Sequence, residues 1–226
     1  MIAFRKAAAL AAVVGLTAMA GCGNQTDQGV VFKSVLSGVT GKNKPAAPMT
    51  PAETNAAIQS AMAGTDLPLA LAQIETRKAT AVLVNIETNG GYRTWGTSDR
   101  RTITTRNGIV TATRGLGNDI MSSSVGGVEG LITARKAGQG SHALRFLDGE
   151  NHTVELAAEC QVTRGGSARV SGGALNDVAA VEMRESCSAG DQHFSNTYLV
   201  DARGRVLQSR QWLGPANGQI VLQILR

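Results

Sequence analysis

Histidine, cysteine and aromatic side chains are scarce in this chain. Three histidines and three cysteines occur among 226 residues, and aromatics make up 4%. No Cys-x-x-Cys spacing is present, which excludes a catalytic thiol pair of that kind. His-Glu-x-x-His, Gly-x-Ser-x-Gly and P-loop sequences are also missing, so the common hydrolase and nucleotide signatures are excluded. No polybasic block and no stripe of alternating basic and aromatic residues is found, which argues against a nucleic-acid partner. The N-terminal apolar run, Ala7–Ala20, is about 14 residues. At 1.5 Å rise it spans roughly 21 Å, short of the ~30 Å hydrocarbon core that a permanent transmembrane helix must cross.

What is there starts at that run. Arg5 and Lys6 precede it, and Met19-Ala20-Gly21-Cys22 ends it. A basic flank, a short apolar stretch and small residues before the cut make a secretory signal. The cysteine at this point has the form of a lipobox, with Met19 where Leu is usual. We expect cleavage before Cys22 and acylation of its thiol. At about 0.8 kcal/mol per buried CH₂, two or three acyl chains hold a protein to a membrane effectively permanently. Gly23, rather than Asp, after the cysteine points to the outer membrane by resemblance to sorted lipoproteins. Removal of residues 1–21 leaves 22 − 2 = 20 basic against 17 acidic residues, a small net charge spread along the chain.

Cys160 and Cys187 are the two remaining cysteines. Export places them in an oxidising compartment, so a disulfide between them is expected. It closes a loop worth roughly 3.5 kcal/mol of chain entropy.

Residues 22–49 read as lipid anchor and tether, and 50–226 as a β domain. Thr50-Pro51-Ala52-Glu53 has the form of a capping box opening a helix. Gly64 is its expected left-handed end. From Ala79 onward β-branched and apolar residues alternate between turn signals. The segments are Ala79–Glu87, Tyr92–Thr97, Arg101–Arg106, Ile109–Arg114, Ser141–Leu147, His152–Cys160, Ala179–Ser186, Phe194–Val200, Arg205–Leu213 and Gln219–Leu225, with a weak strand near Val170. A short helix is expected at Leu116–Met121. The fold class is mainly β: an antiparallel meander of curved, half-barrel-like sheets with one N-terminal helix. Twenty-seven glycines and few aromatics suit many turns and a small-residue core.

Asn107-Gly108 is a two-residue hairpin signal. Strict pairing across it sets Arg101 opposite Arg114. Two opposed arginines repel, so either a carboxylate (Asp99 or Asp119) or an anionic ligand gripped bidentately would offset the repulsion. Trp95, Tyr92 and Trp212 offer faces for stacking on sugar rings, or serve as core anchors. Arg101, Arg114 and Trp95 are thus the candidate ligand-binding residues. With Gly149-Glu150 as a two-residue loop, His142 faces Ala157 and lies roughly 17 Å from His152, too far to share a metal. The histidines are therefore read as exposed strand residues, and no metal or cofactor is expected. Asp99, Asp119 and Glu129 are the best-placed carboxylates for hydrolysis, and no catalytic pair is assigned among them.

The chain resembles the YjbF/GfcB family of envelope lipoproteins. The resemblance rests on Trp95-Gly-Thr-Ser-Asp-Arg-Arg, Arg106-Asn-Gly-Ile-Val, Arg114-Gly-Leu-Gly-Asn-Asp-Ile120, Asp201-Ala-Arg-Gly-Arg-Val and Ser209-Arg-Gln-Trp-Leu-Gly-Pro215, in that order. It runs from about residue 50 to 226. It implies half-barrel-like β sheets and a place beside capsule or exopolysaccharide export, with no established catalysis. The expectation is a non-enzymatic outer-membrane lipoprotein, facing the periplasm, that binds an export protein or an anionic polysaccharide. Two alternatives stand: a carrier whose concave sheet holds a lipid or glycolipid, and a polysaccharide-modifying hydrolase.

Overall fold

The structure, a computed structural model, describes residues 48–226. The signal, Cys22 and nearly all of the expected tether lie outside the described residues.

Helix α1 (Pro51–Gly64) starts on the expected capping box. The Thr50 hydroxyl accepts from the Glu53 amide, and the Glu53 carboxylate accepts from the Thr50 amide. Gly64 belongs to the last turn, and the cap that follows, Thr65, is extended rather than left-handed. A chain-terminal side chain satisfies that end instead: the Arg226 guanidinium donates to the carbonyls of Met62, Thr65 and Leu67.

Twelve strands follow: β1 (Leu69–Ile74), β2 (Ala79–Asn89), β3 (Tyr92–Gly96), β4 (Thr102–Arg106), β5 (Ile109–Arg114), β6 (Ser122–Ser124), β7 (Gly138–Leu147), β8 (Thr153–Gly172), β9 (Leu175–Ala189), β10 (Gln192–Asp201), β11 (Val206–Trp212) and β12 (Gln219–Ile224). A 3-10 turn, Glu75–Arg77, joins the first two, and helix α2 (Gly126–Thr133) lies between β6 and β7. All pairings are antiparallel, in one sheet of order β5-β4-β3-β2-β1-β12-β11-β10-β9-β8-β7-β6. Its two ends meet where the Thr113 amide donates to the Ile120 carbonyl at 2.9 Å. The sheet is thereby a nearly closed, barrel-like meander, as the alternation predicts.

Alternation also decides the core. Ala70, Ala72, Leu83, Ile103, Val162, Met183, Tyr198 and Ile220 point inward with Trp95 and pack as one cluster. The opposite parity of β1 and β2, Leu69 and Val84, buries against Ile58 and Ala61 of α1. The distal β8–β9 hairpin bends back over the outside. There Val170 and Ala180 cover Leu207, and Ala174 donates to the Leu225 carbonyl at 2.7 Å. Two register shifts, at Arg164/Ser167 and Val170/Gly172, let it bend without breaking the ladder.

The interior is filled and partly flattened. Gln211 reaches from β11 to β5, donating to the Gly108 carbonyl at 2.9 Å and accepting from the Val110 amide at 2.8 Å. A void beside Trp95, Thr105 and Ser209 is about 20 Å³, room for at most one water.

Several expectations are corrected. Leu116–Met121 is no helix: Asn118 stands at φ +47°, and the Asp119 carboxylate folds the turn by accepting from the amides of Gly115 and Leu116. The helix lies ten residues later, α2, seated on β7 so tightly that a Cβ on Gly127 or Gly140 would fall within 2.4 Å of the facing backbone. The β7–β8 loop is longer than two residues, so Leu147 pairs with Thr153 and His142 with Ala158.

Candidate functional site

The arginine pair does not form as the strict register predicts. The turn at Asn107 (φ +48°) and Gly108 (φ +89°) is where the sequence puts it, and Arg106 pairs with Ile109. A bulge between Thr104 and Thr105 then shifts the register by one, so Arg114 stands opposite Thr102. Arg101 leaves the strand and meets Asp99 at 3.0 Å, both side chains about half exposed. The Arg114 guanidinium donates to the carbonyls of Thr113, Ile120 and Met121, fastening the seam between β5 and β6. Trp95 is 2% exposed, its indole N–H donating to Thr105 at 3.1 Å inside the barrel. The three candidates therefore do not converge on one surface. Tyr92, by contrast, is exposed, with the Arg106 guanidinium 5.5 Å above its ring. Trp212 is half-buried and stacks on Phe194 at 4.8 Å.

The carboxylates named as acid candidates are engaged structurally. Asp119 folds its turn and also accepts from the Thr113 hydroxyl at 2.8 Å. Glu129, buried on α2, pairs with Arg106 at 3.0 Å and accepts from the Asn107 amide.

The densest chemistry lies elsewhere, in a buried cluster on the inner face of β7, β8, β9 and β10. Glu185 is fully buried. One carboxylate oxygen, Oε1, is 2.8 Å from His142 Nδ1 and 3.3 Å from Cys187 Sγ. The other, Oε2, accepts from Asn196 Nδ2 at 2.8 Å and from the Tyr198 hydroxyl at 2.7 Å. His142 Nε2 is 3.0 Å from the Ser123 hydroxyl on β6. Asn196 in turn accepts from the Trp212 amide at 2.7 Å. A disulfide joins Cys160 and Cys187, directly paired residues of β8 and β9. Burial pushes the Glu185 carboxyl upward, but the bonds from His142, Asn196 and Tyr198 outweigh it and hold it below its ordinary range. Tyr198 is driven the other way, well above a phenol's usual value, by burial and by the charge of Glu185.

His142 is thus buried, at 3% exposure, where an exposed strand residue was expected; His152 and His193 are exposed. Strand parity carried the missing signal. Glu185 stands two residues from Cys187 and two from Met183, and His142 two from Leu144, so each shares the inward face of its neighbours. Ser123, His142 and Glu185 repeat the hydrogen-bond order of a nucleophile, base and acid. Neither the void beside Trp95 nor an open depression of about 470 Å³ at Ser186–Ser188 and His193–Ser195 is lined by Ser123.

These features define a mainly-β, barrel-like domain with a filled interior and a polar knot cross-linked by a disulfide. The chain belongs to the YjbF family, described as group 4 capsule polysaccharide lipoprotein GfcB/YjbF, whose model matches residues 31–225. That membership makes it a membrane-anchored lipoprotein associated with capsule polysaccharide. Among solved structures it is similar to the hypothetical lipoprotein YmcC of Escherichia coli K12, with a TM-score of 0.65 and 17% identity. The alignment covers 80% of this chain and 98% of that one, a likeness of fold. No curated protein matches the chain by sequence.

Proposed function

We propose that this protein is acylated on Cys22, resides at the outer membrane facing the periplasm, and assists the assembly or export of a capsule or exopolysaccharide. It works by binding a neighbouring export protein or the polymer itself, rather than by catalysis. The observation that carries this reading is the family match over nearly the whole described chain, joined to the lipobox at Met19–Cys22.

The packed interior weighs against the lipid-carrier alternative. A lipid-sized ligand needs an enclosed pocket of roughly 300 Å³ or more; the void beside Trp95 is about 20 Å³, and the depression of about 470 Å³ at Ser186–Ser188 and His193–Ser195 is open to the surface rather than enclosed. Of the residues proposed for ligand contact, Arg101 and Arg114 are exposed and Trp95 is buried; an anionic polymer would compete with Asp99 for Arg101 and with the carbonyls of Thr113, Ile120 and Met121 for Arg114.

The test is a deletion strain in which extracellular polymer is quantified. Complementation by the wild-type gene should restore output, and complementation by Cys22→Ala should not. Normal polymer in the deletion strain would overturn the export role. An alkyne fatty acid fed to cells should label the wild-type chain and not Cys22→Ala; an unlabelled wild type removes the anchor.

A further inference from the structure

The polar knot holds more donor atoms than its structural duty requires. We propose that, when its disulfide is reduced, the cluster of Cys160, Cys187, His142 and Glu185 is a zinc site. The inference is independent of the export role.

One ligand atom from each of the four residues already lies within 4.8 Å of the others, and all four residues are buried. Tetrahedral zinc, with bonds of about 2.0 Å to nitrogen or oxygen and 2.3 Å to sulfur, sets its ligands roughly 3.3–3.8 Å apart. The longest separation must contract by about 1 Å, and the two sulfurs must open from bonding distance to about 3.7 Å. Cross-strand neighbours achieve this by side-chain rotation, without moving either strand. Two thiolates, an imidazole and a carboxylate are a donor set that suits zinc.

The orientation of the second atoms supports the assignment. His142 turns Nδ1 to the cluster while Nε2 is held by Ser123, and Glu185 turns Oε1 to it while Oε2 is held by Asn196 and Tyr198. Metal ligands are characteristically fixed by such outer bonds on the atom that does not coordinate. An open depression on β9 and β10 reaches Cys187 from outside.

The chemistry balances. A dithiol reductant transfers two electrons and two protons to the disulfide and is itself oxidised to a disulfide. Zinc then binds, displacing the two thiol protons to water. Every exported chain starts as dithiol, so the reduced state exists before oxidation. Metal and disulfide are then alternative fasteners for one seam.

The experiment uses the purified mature protein, reduced with a phosphine under nitrogen and titrated with Co²⁺ as a coloured probe, then with Zn²⁺. The reduced chain should take up one Co²⁺, with thiolate-to-cobalt absorption that one equivalent of Zn²⁺ bleaches. Oxidised protein and the Cys160→Ser, Cys187→Ser double variant should show no such band. His142→Ala should weaken zinc binding more than tenfold. A reduced chain that stays folded by circular dichroism without the band overturns the proposal, as does undiminished affinity in His142→Ala. If reduction unfolds the chain, Zn²⁺ should restore the β-sheet spectrum; failure to restore it also overturns the proposal.

Discussion

Replacing Glu185 tests the physical account of the core most directly. Glu185→Ala strands three buried groups at once: His142 Nδ1, the Asn196 amide and the Tyr198 hydroxyl. Each buried polar group left without a partner costs about 1–3 kcal/mol. Some re-pairing and entry of water into the vacated space bring the expected loss to about 3–5 kcal/mol. Glu185→Gln is different. Its amide oxygen can accept from Asn196 and Tyr198, and its NH₂ can pair with His142 Nδ1 while Nε2 keeps Ser123. Every bond survives and only the charge is removed, so the loss should stay within about 1–2 kcal/mol. Urea unfolding with the disulfide intact, followed by tryptophan fluorescence and circular dichroism, measures both. In a domain of this size 1 kcal/mol moves Tm by about 2–4 °C, so the alanine variant should fall by about 6–20 °C. An alanine variant within 1 kcal/mol of wild type would refute the reasoning. A glutamine variant as damaged as alanine would show that charge, not bond count, is what matters.

Acid should destabilise the domain in a defined window. Glu185 is held below its ordinary value of 4.5, so the folded state binds fewer protons than the unfolded one. Its contribution is therefore complete above that value and lost as pH falls through the lower, folded one. Asp201, depressed despite burial by bonds from Arg205 and Arg203, acts in the same direction. Urea midpoints should fall steeply below about pH 4.5, with a shallower slope in Glu185→Gln; an unchanged slope would remove Glu185 from the account. Gln211→Leu leaves the buried Val110 amide and the Gly108 carbonyl without their partner, and should cost about 2–4 kcal/mol by the same assay. Asp119→Ala removes the acceptor of two amides and one hydroxyl at the β5–β6 seam. Amide exchange should rise at Gly115 and Leu116 while the far side of the sheet, at Val84, keeps its protection.

The legible parts of this fold were those set by residue-by-residue periodicity. The capping box at Thr50, the hairpin at Asn107-Gly108 and the alternation of β10 and β11 could be read directly. Register could not, because a bulge leaves no residue signature: the one at Thr104/Thr105 moved Arg114 from Arg101 to Thr102 and dissolved the expected repulsion. The weak strand expected near Val170 proves to be part of the continuous strand β8, with Gly165 and Gly166 at a register shift. Helix α2 was not among the expected elements; Gly127 lets it touch β7, where a Cβ would fall 2.4 Å from the Ser141 amide nitrogen. The polar knot was missed because His142 was read, like the other histidines, as an exposed strand residue and Glu185 was not singled out. Their parity with Leu144 and Cys187 says otherwise.

The sheet order has a consequence for how such a chain is made. β1 and β12, the first and last strands of the described residues, lie side by side in the middle of the sheet. Without β12 the chain is two half-sheets, β1–β5 and β6–β11, that meet at the β5–β6 seam and leave the facing edges of β1 and β11 raw. A chain that emerges N-terminus first therefore cannot complete the sheet between β1 and β11 until β12 is present. β12 is the keystone between β1 and β11, and Arg226, just after it, ties it to the C-terminal end of α1.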